Sequence, residues 1–292
     1  MKKIVLKNRL PEWLRQDIPD AQAQAILRSL KKQRVNTVCL EARCPNWARC
    51  FTKGRLAFMI LGSQCSRHCS FCAVGKSQNK TLTLDKEEPY RIVKAIKELR
   101  LDFIIITSVS RDDLSDAGAG QFARTISLIR EFKSDIKIEV LIPDFLGIPL
   151  SQIVSAHPDV LAHNLETVPR LYPRIRPEAS YKRSLQVLRQ TKELSPHLIT
   201  KSSLLLGMGE EEQEVNSVME DLRKVNCDIL VLGQYLAPSS RHYPVKEFIT
   251  IEQFQRYREI ARGFGFKAVL ASPLARTSYQ AQGVFNSVSH LL

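Results

Sequence analysis

Six of the seven cysteines in this 292-residue chain fall into two groups of three. In Cys65-Ser-Arg-His-Cys69-Ser-Phe-Cys72 the thiols directly follow the apolar run Leu56 to Leu61, so they read as ligands offered from a loop after a strand. Cys39, Cys44 and Cys50 are spread across a segment containing Pro45, a spacing that suits neither a zinc knuckle nor a Cys-x-x-Cys redox pair. A structural zinc takes four protein ligands and a four-iron cluster usually four thiolates, so a group of three leaves the metal one position open for chemistry. The competing readings are a disulfide with a spare thiol, a zinc completed by His68, or buried structural thiols. None of them explains why a group of three occurs twice.

Such loops need strands to hold them. From Arg55 onward short β-branched apolar runs alternate with helical stretches. The runs Leu56 to Leu61, Phe103 to Thr107, Ile136 to Ile142, Val160 to His163, Ile199 to Leu206 and Ile229 to Gly233 predict six strands, with Ala268 to Ala271 a candidate seventh. Between them Val215, Val218, Met219 and Leu222 repeat at helical spacing, and Pro89 stands at a first helical position. Ser180 reads as a cap, and Thr250 with Gln253 as a capping box. An amphipathic helix over Asp20 to Arg34 precedes the first cysteine group. Strand and helix in alternation predict parallel pairing through right-handed crossovers, hence a doubly wound sheet or a full or partial barrel. In either fold the binding loops follow the carboxyl ends of the strands, where Cys65 to Cys72 falls.

Other strand ends should then face the same place. Thr107 to Asp116 is dense in hydroxyls and carboxylates, as a solvated loop would also be. In His163-Asn164-Leu-Glu166 the amide and carboxylate suit ribose hydroxyls, while an arginine such as Arg174 or Arg176 suits a carboxylate by bidentate pairing. The alternative there is a helix cap at Asn164 and surface arginines. Ser202 and Ser203 precede Gly207-Met-Gly-Glu210, where glycine lets backbone approach a ligand. Gln234, Tyr235 and His242 are candidates for lining a substrate mouth, His242 reading more as a surface residue. A hydroxyl of Arg276-Thr-Ser278-Tyr279 would complete a metal site.

The formal net charge of +13 attracts anions, whether nucleic acid, an acidic protein or an acidic membrane face. The basic residues are scattered, with no run denser than Arg28 to Arg34, which argues against a nucleic-acid tail. Met1 to Trp13 lacks the apolar segment of a secretory signal, and no apolar run approaches the roughly 20 residues of a membrane helix. Clustered thiols fit a reducing compartment better than a disulfide scaffold, so a cytoplasmic location is expected.

Cys-x3-Cys-x2-Cys with Phe71 before the last cysteine resembles the signature of the radical S-adenosylmethionine (SAM) enzymes. The second triad and the Arg-Thr-Ser-Tyr run narrow that resemblance to the lipoyl synthase family, and stretches such as Glu139 to Phe145, His163 to Val168 and Gly233 to Leu236 extend it over nearly the whole chain. The resemblance implies a partial (β/α)6 barrel at 55–270, an N-terminal extension at 1–54 carrying the auxiliary triad, and a C-terminal segment at 271–292 carrying a serine ligand. It implies two [4Fe-4S] clusters. One, on Cys65, Cys69 and Cys72, would bind SAM and cleave it to a 5′-deoxyadenosyl radical; the other, on Cys39, Cys44, Cys50 and Ser278, would give up sulfur for C6 and C8 of an octanoyl chain. SAM contacts are expected from Phe71, Ser108, Asn164, Glu166 and Arg176, with no catalytic side chains beyond the cluster ligands. The implied partners are octanoylated lipoyl domains or a glycine-cleavage H protein, which as acidic carriers would account for the charge. A flavodoxin or ferredoxin as electron donor and an iron-sulfur carrier for cluster rebuilding complete the set; neither membrane nor nucleic acid is expected.

The chain departs from the family pattern at Thr277, in place of a first serine; at Ser110 and Ala117, in place of an acidic residue and a glycine; and at Gly75 to Gln78, in place of a longer basic turn. Two rival readings remain at this point: a two-cluster radical SAM enzyme of the tRNA-methylthiolating type, and a non-catalytic metal protein that binds nucleic acid.

Overall fold

The computed structural model describes residues 10–77 and 83–291. The first nine positions, which carry most of the amino-terminal segment read for a signal, and Gln78 of the altered turn lie outside the described residues. Seven strands form one sheet: β1 (Ala57–Ile60), β2 (Phe103–Ser108), β3 (Lys137–Leu141), β4 (Val160–Ala162), β5 (Ile199–Leu206), β6 (Ile229–Gln234) and β7 (Ala268–Ala271). Every neighbouring pair is parallel, and the spatial order is the chain order. A doubly wound sheet reverses direction at a switch point; this one never does, and it curls as a partial barrel.

Most residues of the strands are buried, because both faces of the sheet are covered. Ile104, Ile106, Ile138 and Val140 are buried, as are Val215, Val218, Met219 and Leu222 of the helix Glu212–Lys224 that follows β5. Each such side chain contributes about 1.5–3 kcal/mol when taken out of water. Ser180 caps its helix by accepting from the Arg183 amide. Thr250 likewise accepts from the Gln253 amide, but Gln253 does not reach back; its oxygen takes the Arg256 guanidinium, and the reciprocal box forms instead between Glu211 and Glu214. Pro89 is the second residue of its helix, after Glu88.

Among the described residues no ladder joins β1 to β7, and the two chain ends close the seam. The Asn36 carbonyl accepts from the Met59 amide on the outer edge of β1, and the Thr37 hydroxyl donates to the Ala57 carbonyl at 2.7 Å. Asn46, in the same extension, donates to the Leu274 carbonyl at 2.6 Å, while the Pro273 carbonyl accepts from Gln234 of β6. The C-terminal helix Ala281–Val288 stoppers the amino-terminal end of the barrel, packing Phe285 and Val288 against Val160, Ile199 and Ile229, the first residues of β4, β5 and β6.

Candidate metal centre

The cysteine loop leaves the carboxyl end of β1 through a sharp bend, with Leu61 at φ +68° and Gly62 at φ +83°. Glu88 holds that bend, its carboxylate accepting from the Leu61 and Gly62 amides at 2.7 and 3.1 Å. Beyond it, Gln64–Cys65 pairs with Gly75–Lys76, so the start and the end of the loop lie side by side. Three further bonds fasten its middle: Ser66 N to the Ser110 carbonyl, Ser70 N to the Ile175 carbonyl, and Tyr243 N to the Ser70 carbonyl. The loop therefore touches the segments after β2, β4 and β6, at the carboxyl end of the barrel.

Cys69 and Cys72 lie close enough to each other and to Cys65 to interact electrostatically. Burial pushes the Cys69 thiol up to about 11, with Arg176 opposing, and raises Cys72, with Lys76 opposing. Backbone amides approach the sulfurs, Arg67 N lying 3.4 Å from Cys65 Sγ. Buried thiols between cations and amide donors stay neutral until a metal displaces their protons, and then have partners for the thiolate charge.

Four of the five expected SAM contacts can be placed around this loop. Glu166 sits at φ +66°, a strained conformation that turns its carboxylate to 2.9 Å from the Asn164 amide nitrogen. Burial raises the Glu166 carboxyl, opposed by Arg176 and Asn164. Arg176 is buried rather than on the surface; its Nη1 donates to the Asn164 and Leu165 carbonyls and to the Tyr172 hydroxyl, and it acts on Cys69 electrostatically. Asn164 caps no helix. The Ser108 hydroxyl, at the end of β2, is buried with no protein partner. Phe71, the fifth, is half-buried and packs against the apolar cluster formed with β5 and β6.

The other three thiols also gather together, Cys50 within electrostatic reach of Cys39 and Cys44. Burial, joined by the nearness of Cys44, raises Cys39 to about 11; burial raises Cys50 to about 12. Thr277 does not join this group. Its hydroxyl is spent inside the barrel, 3.0 Å from Asn164 Oδ1 and 3.0 Å from Ser203 Oγ. Ser278, the next residue, lines a crevice with Lys53, Gly54 and Arg55, directly beyond the Cys50 helix. Arg276 is half-buried beside Thr277, and burial lowers its guanidinium pKa, with Cys44 and Glu166 opposing.

Some residues expected at the site serve the fold. Gln234 is fully buried and donates to the Leu206 and Glu247 carbonyls; Tyr235 is buried with its hydroxyl on the Tyr243 carbonyl. Neither lines a substrate mouth, because each closes a long loop onto its strand. His242 is half-buried, 2.8 Å from the Ser239 hydroxyl. Gly207, at φ +100°, makes room for Gln234 and the Glu247 carbonyl rather than for a ligand, and Glu210 clasps the turn through the Gly207 and Met208 amides.

A family model described as "Radical SAM superfamily" matches residues 59–222. A lipoyl synthase from Caldicellulosiruptor saccharolyticus is 47% identical over 281 residues, covering 95% of this chain and 98% of the relative. One from Aquifex aeolicus is 50% identical over 258 residues, covering 88% of this chain and 93% of the relative. The chain belongs to the lipoyl synthase family. Among solved structures, the FeFe-hydrogenase maturase HydG from Carboxydothermus hydrogenoformans aligns with a TM-score of 0.60 at 13% identity, over 91% of this chain and 68% of that one, a likeness of fold. As a lipoyl synthase the chain is a radical SAM sulfur-inserting enzyme that uses SAM and [4Fe-4S] clusters and acts on octanoylated carrier proteins.

Its residues fit those groups: the donors are thiols, three to a site, and iron-sulfur clusters are held by cysteine thiolates. Arg67, Asp144 and Arg276 also belong to this region, although no motif in the sequence marks them. Their signal was faint: Asp144 falls within a stretch that resembles the family, and the two arginines stand beside the cysteine and serine motifs.

Proposed function

We propose that Cys65, Cys69 and Cys72 hold the cluster that binds SAM, that Cys39, Cys44, Cys50 and Ser278 hold the auxiliary cluster, and that the protein inserts sulfur at C6 and C8 of a protein-bound octanoyl group. The observation that carries this is the stretch from Leu274 to Thr277: Asn46, between Cys44 and Cys50, donates to the Leu274 carbonyl at 2.6 Å, and Thr277 donates to Asn164 Oδ1 at 3.0 Å, so one short segment links the first triad to the strand end beside the second. When bound, SAM and its cluster supply a carbon radical and the auxiliary cluster supplies sulfur. The protein's own residues orient and exclude. Asn164 and Glu166 are placed to hold ribose hydroxyls, Arg176 to hold a carboxylate, and Ser108 to donate to an acceptor entering the barrel. Reactive atoms must be held close and kept from water, and the C-terminal helix that stoppers the far end of the barrel with Phe285 and Val288 serves this.

The carriers in this reading are lipoyl domains or a glycine-cleavage H protein, met through the basic surface. A flavodoxin or ferredoxin supplies electrons, an iron-sulfur carrier refills the auxiliary site, and the setting is the cytoplasm. Residues 1–54, 55–270 and 271–292 serve as auxiliary-site extension, core and serine-bearing segment. Among the described residues no helix is long and apolar enough to cross a membrane.

The test is anaerobic reconstitution with iron and sulfide, then SAM, reductant and an octanoylated lipoyl-domain peptide. About eight irons per chain, as two four-iron clusters require, and a peptide heavier by two sulfurs are expected. Deoxyadenosine without sulfur gain would reject the substrate.

A further inference from the structure

Arg67 stands between Cys65 and Cys69, and although its loop is at the barrel mouth the residue is only 7% exposed. Its guanidinium is turned inward and engaged along both edges. Nε and Nη2 lie 2.9 and 2.8 Å from the two oxygens of Asp112, a planar fork, while Nη1 lies 2.6 Å from Asp144 Oδ2. Asp112 belongs to the segment after β2 and Asp144 to the segment after β3. The second oxygen of Asp144 faces His163 Nε2 at 3.3 Å, at the end of β4, and His163 Nδ1 faces the Ile142 carbonyl at 2.9 Å. Asp112 also accepts from the Ser66 hydroxyl at 2.6 Å. One side chain thus ties the cysteine loop to two successive strand ends, and through Asp144 to a third.

A buried charge network is a poor route to stability, since desolvation offsets most of the attraction. What it gives is geometry: a fork that fits two acidic groups in one orientation. The backbone amide of the same residue lies 3.4 Å from Cys65 Sγ, so a shift of Arg67 moves a donor away from a thiol. We infer that Arg67 is the positioning residue of the SAM site: through Asp112 and Asp144 it holds the cysteine loop in register with the strand ends that bear Ser108, Asn164 and Glu166. This rests on the assignment of Cys65, Cys69 and Cys72 as the SAM-cluster ligands. Lysine cannot replace it, because a point donor cannot bridge both carboxylates in the plane of a fork.

The test is the electron paramagnetic resonance spectrum of the reduced, reconstituted full chain, titrated with SAM, which reads the SAM-bearing cluster without turnover. In Arg67→Lys the SAM concentration giving half of the spectral change rises roughly 10- to 100-fold, the range seen when groups that orient metal ligands are removed. Iron per chain measured before titration stays within a quarter of the parent's. An unchanged SAM titration in Arg67→Lys would overturn the inference. Should that variant fail to fold, Asp112→Asn removes one arm of the fork and must show a smaller shift in the same direction; no shift there overturns it as well. If the parent chain shows no SAM-dependent spectrum, the ligand assignment itself is what fails.

Discussion

Lys201 Nζ lies 2.9 and 3.0 Å from the two carboxylate oxygens of Glu139, between β5 and β3, with both side chains 1% exposed. Burial raises the Glu139 carboxyl and Lys201 opposes the rise, so each charge depends on the other. Removing one partner strands the other. Lys201→Met is expected to cost about 3–5 kcal/mol, and Glu139→Leu combined with Lys201→Met to recover most of it. Urea unfolding of the two variants checks this; a double variant no more stable than Lys201→Met would overturn the expectation.

Ser278 and Thr277 differ in what their hydroxyls already do. Thr277 is bonded to Asn164 and Ser203, whereas among the described residues the Ser278 hydroxyl makes no hydrogen bond. Ser278→Ala is expected to lower the iron retained after reconstitution and to abolish sulfur insertion, and Thr277→Ser to keep the full iron content. Iron counting on both variants decides between the two neighbours.

Asp144 is held well below the usual carboxylate range: burial alone would raise it, but His163 and Arg67 outweigh burial. A carboxyl with a folded pKa below its unfolded value of about 3.9 stabilises the fold in full above that value and loses this contribution as pH falls towards the folded one. The stability gap between the parent and Asp144→Asn should therefore be widest near pH 7 and shrink below about pH 4. A gap constant from pH 7 to pH 3 would show that Asp144 does not contribute through its charge.

Ala117 occupies φ +51° in the loop after β2, where the family pattern has glycine. A side chain in the left-handed region costs about 1–2 kcal/mol. Ala117→Gly should raise the thermal midpoint by a few degrees without changing the iron content. A lowered midpoint would mean that the methyl group's packing outweighs its strain.

The strands were legible because each is a buried run with one reading. Ile199–Leu206 and Ala268–Ala271 fall where the sequence predicts, and the others differ by a residue at one end or at both. The cysteine groups were legible because few structures need three thiols twice. Charge networks were not. Arg67, Glu139 and Lys201 look like surface residues until the fold brings carboxylates from other strands to them, and nothing along the chain announces a partner 62 residues away. Gln234 misled for the same reason: a polar residue at a strand end serves a ligand or a loop, and only its neighbours decide which.

Among the described residues no ladder closes the barrel wall between β1 and β7, where side chains and a few backbone bonds of the two terminal segments serve as a fastening. Bonds between such ends open at lower cost than strands paired on both sides. Cys39, Cys44, Cys50 and Ser278 sit on that fastening, so the part of the wall that parts most readily is the part that carries the second group of thiols. Amide exchange should be faster in residues 36–52 and 272–280 than in β2 to β5. A wall that opens at its fastening gives those thiols a door.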